Sequence, residues 1–107
     1  MAYYLLQGSY SSDSWKSLVN NPTDRITAVK PIVEKLGGKL EHAWFAFGEY
    51  DLVTILEMPD NVSAAAFSLA IAAGGGFKTH KTTPLLEISD GIAAMKKAGT
   101  SGYKPPQ

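Results

Sequence analysis

A short acidic turn between two apolar segments constrains the fold of this chain more than any other feature of its sequence. The turn lies mid-chain, within Ala46–Val53, which reads AFGEYDLV. Glycine accepts positive φ and aspartate accepts turn geometry, so this pattern is typical of a β-hairpin. It predicts that the apolar segments on either side, residues 39–47 and 52–58, are neighbouring antiparallel strands.

Composition restricts both the size of the core and the kind of partner. A chain of 107 residues with 45% apolar and 19% charged residues is typical of one globular domain. Its ten basic and ten acidic residues cancel, so neither nucleic acid nor an anionic membrane is predicted as a partner. The chain has no cysteine, which excludes disulfides and cysteine-ligated metals.

The first residues predict neither export nor membrane insertion. Residues 1–7 lack the basic segment and the long apolar run of a signal peptide. No stretch approaches the roughly 20 apolar residues that cross a bilayer. We therefore expect a cytoplasmic protein without a membrane partner.

Apolar periodicity and helix-capping residues predict the remaining elements. Further strands are expected at residues 3–10 and from 77 to about 83, and helices around 15–19, from Pro22 to Leu36, at 62–73 and at 89–98. Pro22 suits a first helical turn, and Pro31 is expected to kink its helix. Residues 1–98 are thus predicted to form one domain and residues 99–107 a flexible tail.

The predicted order, β-α-β-β-α-β followed by a short helix, indicates an α+β fold of the ferredoxin-like type with a four-stranded antiparallel sheet. Two helices would cover one face of that sheet. Strand three is apolar at both parities, and so is strand two, where Leu40, Trp44 and Ala46 alternate with Ala43, Phe45 and Phe47. A half-solvated sheet alternates apolar and polar residues, so the uncovered face is predicted to pack on a second copy.

Three segments resemble the GYD domain family. They are Lys35–Leu40 (KLGGKL), Gly48–Val53 (GEYDLV) and the acidic Pro59–Asp60 before an alanine-rich helix. The resemblance covers residues from about 3 to 86, which is most of the chain.

This resemblance implies a fold and an assembly but no reaction. It implies a small bacterial or archaeal protein that forms a dimeric α+β barrel, in which two ferredoxin-like sheets pack face to face. The name-giving residues of the family correspond here to Gly48, Tyr50 and Asp51. Because the family has no generally established activity, no catalytic residue follows from it. Pro31 departs from the plain first helix of the family.

The same hairpin is similar to one in the effector-binding domain of leucine-responsive-type bacterial regulators. That domain shares the predicted topology and binds small metabolites near subunit interfaces. This sequence shows no DNA-binding helix-turn-helix before its first strand. The similarity implies a stand-alone ligand-binding module.

The hairpin residues have a chemical and a structural interpretation. Glu49 and Asp51 can serve as acid and base, or hold a ligand, if their pKa values differ. Alternatively, Gly48 sets the turn, Asp51 bonds backbone amides and Tyr50 packs at the subunit interface. The known preferences of turn residues favour the structural interpretation.

The two histidines, His42 and His80, are the other candidates for catalysis. A histidine beside an apolar cleft can act as a general base or a metal ligand. In the predicted topology they lie in strands two and four, at opposite edges of the sheet. Since they also form no closely spaced pair, no metal site is predicted.

Aromatic residues are candidates for a ligand pocket between the sheet and the helices. They are Tyr3, Tyr10, Trp15 and Trp44, together with Phe45. Ligand pockets are mostly apolar, but aromatic side chains also dominate ordinary cores. The sequence is compatible with both roles.

Two functions from different classes therefore remain open. One is a homo-oligomeric module that binds a small, partly apolar metabolite or serves in assembly. The other is a cofactor-independent enzyme, monooxygenase-like or isomerase-like, that uses His42 or His80 with Glu49 or Asp51 in a pocket between sheet and helices. No cofactor is predicted for either function. The expected partners are a second copy of the chain and a small molecule.

Overall fold

Apolar alternation and side-chain caps produce four strands and four helices within residues 1–106, the part of the chain that the computed structural model describes. Each predicted element is present, with ends that differ by a few residues at most. The strands are β1 (Ala2–Tyr10), β2 (Lys39–Phe45), β3 (Leu52–Met58) and β4 (Phe77–Leu85). The helices are α1 (Ser12–Asn20), α2 (Arg25–Lys35), α3 (Asn61–Gly74) and α4 (Ile88–Gly99).

Side-chain caps decide where three helices begin. Ser11 caps α1, Asp24 caps α2 and Asp60 caps α3, each by accepting hydrogen bonds from backbone N–H groups of the first turn. Hydrogen bonds also lower the pKa of both aspartates, because they favour the ionised carboxylate. The largest cause is the Thr27 hydroxyl for the pKa of Asp24 and the backbone N–H of Ser63 for that of Asp60.

The second helix differs from the sequence prediction at its start. It begins at Arg25 because Asp24 supplies the cap, so Pro22 lies in the preceding loop and not in the first turn. Pro31 lies inside the helix, which continues to Lys35. The kink predicted at this proline stays a prediction.

The sheet has the strand order β2-β3-β1-β4, with every neighbouring pair antiparallel. This order confirms the α+β, ferredoxin-like prediction and places β2 and β4 at the edges. The face-to-face packing of two such sheets stays a prediction. Residues 100–106 follow α4 without regular secondary structure. The predicted flexibility of residues 99–107 also stays a prediction, and Gln107 lies outside the described residues.

The core lies between one face of the sheet and the helices α2 and α3. Cross-strand partners in an antiparallel pair share a face, and β1 aligns Tyr4 with Leu56 and Leu6 with Thr54 of β3. Burying a large apolar side chain contributes about 1.5–3 kcal/mol. The core cluster contains Tyr4, Leu6, Val33, Leu40, Leu56, Met58, Ala64 and Phe67.

A bulge in β2 interrupts the alternation that the sequence predicted for this strand. Leu40 pairs with Leu56, but His42 pairs with Ile55, so Glu41 is an extra residue on β2. An extra residue shifts every later side chain to the other face relative to simple alternation.

The bulge corrects the predicted grouping of the apolar residues in β2. Leu40 is buried on the helix side, whereas Trp44 is 55% exposed on the other side, although simple alternation places the two together. The strand also ends at Phe45, so Ala46 and Phe47 belong to the loop and not to the strand as predicted. Phe47 is fully exposed there.

The last helix, α4, extends away from the sheet. None of its residues is buried. The radius of gyration of the chain is 17.2 Å, whereas a compact chain of about 100 residues has a radius of about 13 Å. Within the part of the chain that the structure describes, α4 therefore forms a projecting arm.

Candidate functional site

The acidic hairpin is present, and its loop spans residues 46–51. Phe45 pairs with Leu52 at the ends of the two strands. The backbone N–H of Ala46 donates to the carbonyl of Asp51 at 2.7 Å, and that of Asp51 donates to the carbonyl of Gly8 at 2.8 Å. The loop is thus closed on itself and also tied to the central strand β1.

The side chain of Asp51 joins the hairpin to two other elements. Its Oδ2 accepts a hydrogen bond from the backbone N–H of Tyr10 at 2.9 Å and another from Nε1 of Trp15 at 3.1 Å. Tyr10 ends β1 and Trp15 lies in α1. Ser9 adds a hydrogen bond from its hydroxyl to the carbonyl of Glu49 at 2.6 Å. The Asp51 carboxylate therefore holds together the hairpin, β1 and α1.

The other hairpin residues have different surroundings. Gly48 does not have positive φ, and a Cβ on it would meet no atom within 4 Å. The expectation that Gly48 sets the turn through positive φ is therefore wrong, because the backbone of the described chain permits a side chain there. Glu49 is exposed and Tyr50 is half-buried.

The two histidines lie on opposite faces of the sheet as well as at opposite edges. His42 is exposed and stacks on Trp44, with ring centroids 5.4 Å apart. His80 lies on the helix side, where its Nδ1 is 3.5 Å from the hydroxyl of Ser68 in α3. Within residues 1–106, no three His, Asp or Glu side chains lie together as a metal site requires. Within one subunit, the two histidines therefore do not come together at one site.

A cavity of about 630 Å³, which we call the helix-side cavity, lies between the sheet and the helices α1, α2 and α3. Its floor includes Leu6, Leu52 and Thr54 of the sheet, and its walls include Ile26 of α2 and Phe67 of α3. Small-molecule sites commonly have volumes of about 300–1,000 Å³. The described lining contains no His, Asp or Glu. The cavity thus does not contain the histidine and carboxylate that the catalytic hypothesis requires.

One part of the cavity lining is polar and exposed. It consists of Ser17, Asn21, Thr23 and Arg25. Arg25 is the charged residue of the described lining and the only arginine in the sequence. It forms no ion pair within residues 1–106. The cavity therefore combines an apolar interior with a positively charged edge.

Aromatic side chains lie at the same cavity. Tyr10 lines it, Trp15 packs edge-on against Tyr10 with centroids 5.1 Å apart, and Phe77 stacks on Tyr10 at 4.7 Å. Burial raises the pKa of the Tyr10 hydroxyl, the positive charge of Arg25 opposes this rise, and the negative charge of Asp51 adds to it. Tyr10 and Trp15 thus lie on the side of the sheet where a pocket was expected.

Tyr3 and Trp44 lie on the opposite face of the sheet, which we call the open face. Their partners in β3, Glu57 and Val53, alternate with the buried residues of that strand. The negative charge of Glu57 is the main cause that raises the pKa of Tyr3. Neither aromatic residue can line the helix-side cavity. The apolar side chains of the open face are Tyr3, Leu5, Trp44, Val53, Ile55 and Leu85.

A second apolar surface follows one side of α4. Ile88, Ile92 and Met95 recur at i, i+4 and i+7, so they form one stripe along the helix. They are 82%, 47% and 72% exposed, respectively. Lys96 and Lys97 follow in the last turn, where cations interact favourably with the helix dipole.

Comparison with known proteins shows the family to which this chain belongs. The GYD domain matches residues 4–95, so the chain belongs to the GYD domain family. It is also 29% identical over 97 residues to a protein of Thermus thermophilus named glutamine synthetase and cystathionine beta-lyase binding protein. That match covers 90% of this chain and 100% of the relative. Within residues 1–106, no helix has the length and apolar character to span a membrane.

Sequence reasoning missed the polar edge of the helix-side cavity. Ser17, Asn21, Thr23 and Arg25 come from α1, from α2 and from the loop between them. No motif connects these residues, because only the packing of the helices over the sheet brings them to one cavity. The single available signal was that Arg25 is the only arginine of the chain and directly follows the helix cap Asp24.

Proposed function

We propose that this protein is a homo-oligomeric assembly module that binds other proteins. The observation that carries the proposal is the apolar open face of the sheet. Leu5 on β1 and Val53 and Ile55 on β3 occupy its centre, with Trp44 and Leu85 on the edge strands. A sheet face exposed to water is normally polar, and apolar patches of this kind mark interaction surfaces.

A second copy of the chain is the proposed occupant of the open face. A two-fold axis brings identical patches together, so an apolar centre meets an apolar centre. Lys39, Glu57 and Lys81 lie toward the ends and edge of the face, around that centre. An apolar centre with a polar rim is the usual anatomy of a protein interface. The formal net charge of zero adds no electrostatic repulsion between copies.

The stripe on α4 is the proposed surface for a different protein partner. An amphipathic helix commonly lays its apolar side into a groove of the partner. The name of the Thermus thermophilus relative states that it binds glutamine synthetase and cystathionine beta-lyase. By similarity, we propose that glutamine synthetase and cystathionine beta-lyase in the cytoplasm are partners of this chain, and glutamine synthetase is the first to test.

Sedimentation velocity of the purified chain tests the assembly at micromolar concentration. We expect a dimer or a larger oligomer. Val53→Lys should convert it to a monomer, because it places a charge at the centre of the open face. Val19→Lys is the matched control, since Val19 is 73% exposed on α1 and lies on the helix side. A monomeric wild-type chain, or equal dissociation by both variants, contradicts the proposal.

Binding to glutamine synthetase from the same organism tests the role of α4. We expect Ile88→Ser together with Met95→Ser to weaken that binding while the chain remains oligomeric. Neither side chain is buried, so folding should be preserved. Retained binding by this double variant would show that the partner surface lies elsewhere.

A further inference from the structure

We propose that the helix-side cavity binds a monocarboxylate with an apolar body, and that Arg25 pairs with the carboxylate group. The cavity lies on the other side of the sheet from the open face. The inference therefore goes beyond the assembly proposed above and does not depend on it.

The interior of the cavity requires a ligand with a substantial apolar part. Leu6, Leu52 and Leu56 of the sheet line it together with Phe67 and Ile71 of α3. Water gains few hydrogen bonds from such a lining, whereas an alkyl or aryl group removes apolar surface from water. The volume of about 630 Å³ accommodates an eight- to twelve-carbon chain or a fused aromatic ring within the usual range for ligand sites.

The polar edge of the cavity selects an anion. Arg25 is the charged residue of the described lining, and no described carboxylate lines the cavity to neutralise it. The neighbouring Asp24 is already engaged, because its two oxygens accept hydrogen bonds from the first turn of α2. Asp51 is engaged too, since its Oδ2 accepts from Tyr10 and Trp15. An incoming carboxylate would thus be the partner that the guanidinium lacks within the described chain.

The number and kind of donors favour a monocarboxylate over a phosphate ester. One guanidinium matches the two oxygens of a carboxylate with two parallel hydrogen bonds. The other polar groups at this edge, on Ser17, Asn21 and Thr23, are neutral. They can donate hydrogen bonds to an oxygen but do not balance a second negative charge. A fatty acid and an aromatic carboxylic acid share the required chemistry.

Calorimetric titration of the full-length chain with octanoate, 1-octanol and octylamine tests the charge preference. We expect one octanoate per chain, bound about tenfold or more tightly than 1-octanol, because a hydrogen-bonded ion pair adds roughly that much. Octylamine should bind more weakly than both. Titration with 2-naphthoate then separates the two sources: tighter binding than octanoate assigns an aromatic acid, and weaker binding assigns an aliphatic one.

Three variants locate the site. Arg25→Gln should weaken the binding of octanoate about tenfold and leave the binding of 1-octanol unchanged, since only the ion pair is lost. Lys30→Gln removes a charge from the same helix outside the cavity and should change neither affinity. Ala70→Phe narrows the cavity from an exposed lining position of α3 and should abolish binding of both compounds. Circular dichroism confirms that each variant is folded.

Several outcomes overturn the inference. If octanoate binds no better than 1-octanol, Arg25 does not pair with the carboxylate. The same conclusion follows if Arg25→Gln and Lys30→Gln lose equal affinity for octanoate. Absence of saturable binding in the folded wild-type chain removes the site itself. Sedimentation of the same samples reports assembly separately, so a monomeric chain that still binds octanoate contradicts only the function proposed above.

Discussion

The two faces of the sheet are built from the same strands but meet different surroundings. On the helix side, Leu56 and Met58 of β3 are 1% and 0% exposed. On the open face, Val53 and Ile55 of the same strand are only half-buried. Both sets are apolar, so composition alone does not distinguish them. The difference shows that the chain supplies its own cover for one face and leaves the other more exposed.

The polar contacts differ between the faces in the same way. The helix side is stabilised by buried or partly buried hydrogen bonds, such as those of Asp51 with Tyr10 and Trp15. At the open face and its edge, the ion pair between Lys39 and Glu41 is long, at 3.8 Å, and solvent-accessible. Such pairs contribute little to stability. Stability should therefore depend on the helix side, and assembly on the open face.

The largest effect is expected from truncating the core on the helix side. Leu56→Ala should lower the free energy of unfolding by about 2–5 kcal/mol, because it removes apolar side-chain atoms from a position that is 1% exposed. Ile55→Ala changes the adjacent residue, which lies on the open face. It should lower the free energy of unfolding of the dilute monomer by less than Leu56→Ala does. Urea unfolding at nanomolar concentration measures both, and equal losses would remove the distinction between the faces.

The Asp51 carboxylate should give the next largest effect. Asp51→Ala leaves the backbone N–H of Tyr10 and Nε1 of Trp15 without their acceptor, and each unsatisfied group costs about 1–3 kcal/mol. Glu49→Ala is the control in the same loop, since the hydrogen bond from Ser9 goes to the backbone carbonyl of Glu49, which the substitution keeps. Thermal unfolding should show a clear loss for Asp51→Ala and little change for Glu49→Ala. A similar loss in both would mean that the loop as a whole, and not this carboxylate, joins the hairpin to β1.

Substitutions of two glycines should have smaller effects on stability and also differ from each other. A Cβ on Gly38 would collide with the sulfur of Met58 and lie 2.6 Å from the carbonyl of Glu57. Gly38→Ala should therefore cost about 1–3 kcal/mol, as overpacking usually does. Gly48→Ala at the hairpin should cost little, because its Cβ meets open space. Chemical denaturation measures both, and a loss of assembly in Gly48→Ala alone would place this glycine in the subunit contact.

The two tryptophans should separate stability from assembly. Trp44→Ala should raise the dissociation constant of the oligomer about tenfold, a change of about 1.4 kcal/mol, since an exposed aromatic ring often anchors an interface. Trp15→Ala should instead lower the melting temperature, because Trp15 bonds Asp51 and packs on Tyr10. Tyr50→Ala is expected to weaken the oligomer as well. If Trp44→Ala leaves sedimentation unchanged, the open face is not the contact.

The smallest effect concerns pH and the caps of the helix side. The pKa values of Asp24 and Asp60 are lowered in the folded chain, so ionisation favours folding. Their contribution to stability is complete above the pKa of about 3.9 that the carboxyl groups have in the unfolded chain. It is lost as the pH falls through their lower pKa values in the folded chain. The variant with Asp24→Asn and Asp60→Asn should thus show a shallower fall of melting temperature between about pH 5 and pH 2.

Asp90→Asn is the control for this acid titration. Asp90 lies in the first turn of α4, which projects from the sheet. Its replacement should leave the slope of melting temperature against pH as it is in the wild-type chain. An equally shallow slope in this control would mean that general charge, and not capping, causes the acid dependence.

The parts of the fold that follow from local chemistry were predicted well. The range of β3 agrees at both ends, and the hairpin joins β2 to β3 as the acidic turn indicated. The edge positions of His42 and His80 also agree, because the order of elements determines the sheet order in this topology. The role of Asp51 as a hydrogen-bond acceptor follows from turn chemistry, although its partners Tyr10 and Trp15 are distant in sequence.

The features that were not predicted depend on contacts between distant segments. The bulge at Glu41 reverses the faces of the later β2 residues, and no local pattern marks it. Pro22 indicated too early a start for α2, since the cap at Asp24 prevails. The helix-side cavity with Arg25 exists only because three helices leave space over the sheet.

The sequence by itself determined the order of strands and helices, the hairpin, the strand order and the family, because periodicity, caps and turn residues act over a few neighbours. Only the tertiary structure decided which apolar face is covered, which carboxylate is bonded and where Arg25 lies. Those properties depend on the register of strands and the packing of helices, and a shift of one residue exchanges the faces of a strand. The projection of α4 belongs to the same group, since its stripe finds no partner surface within the described chain.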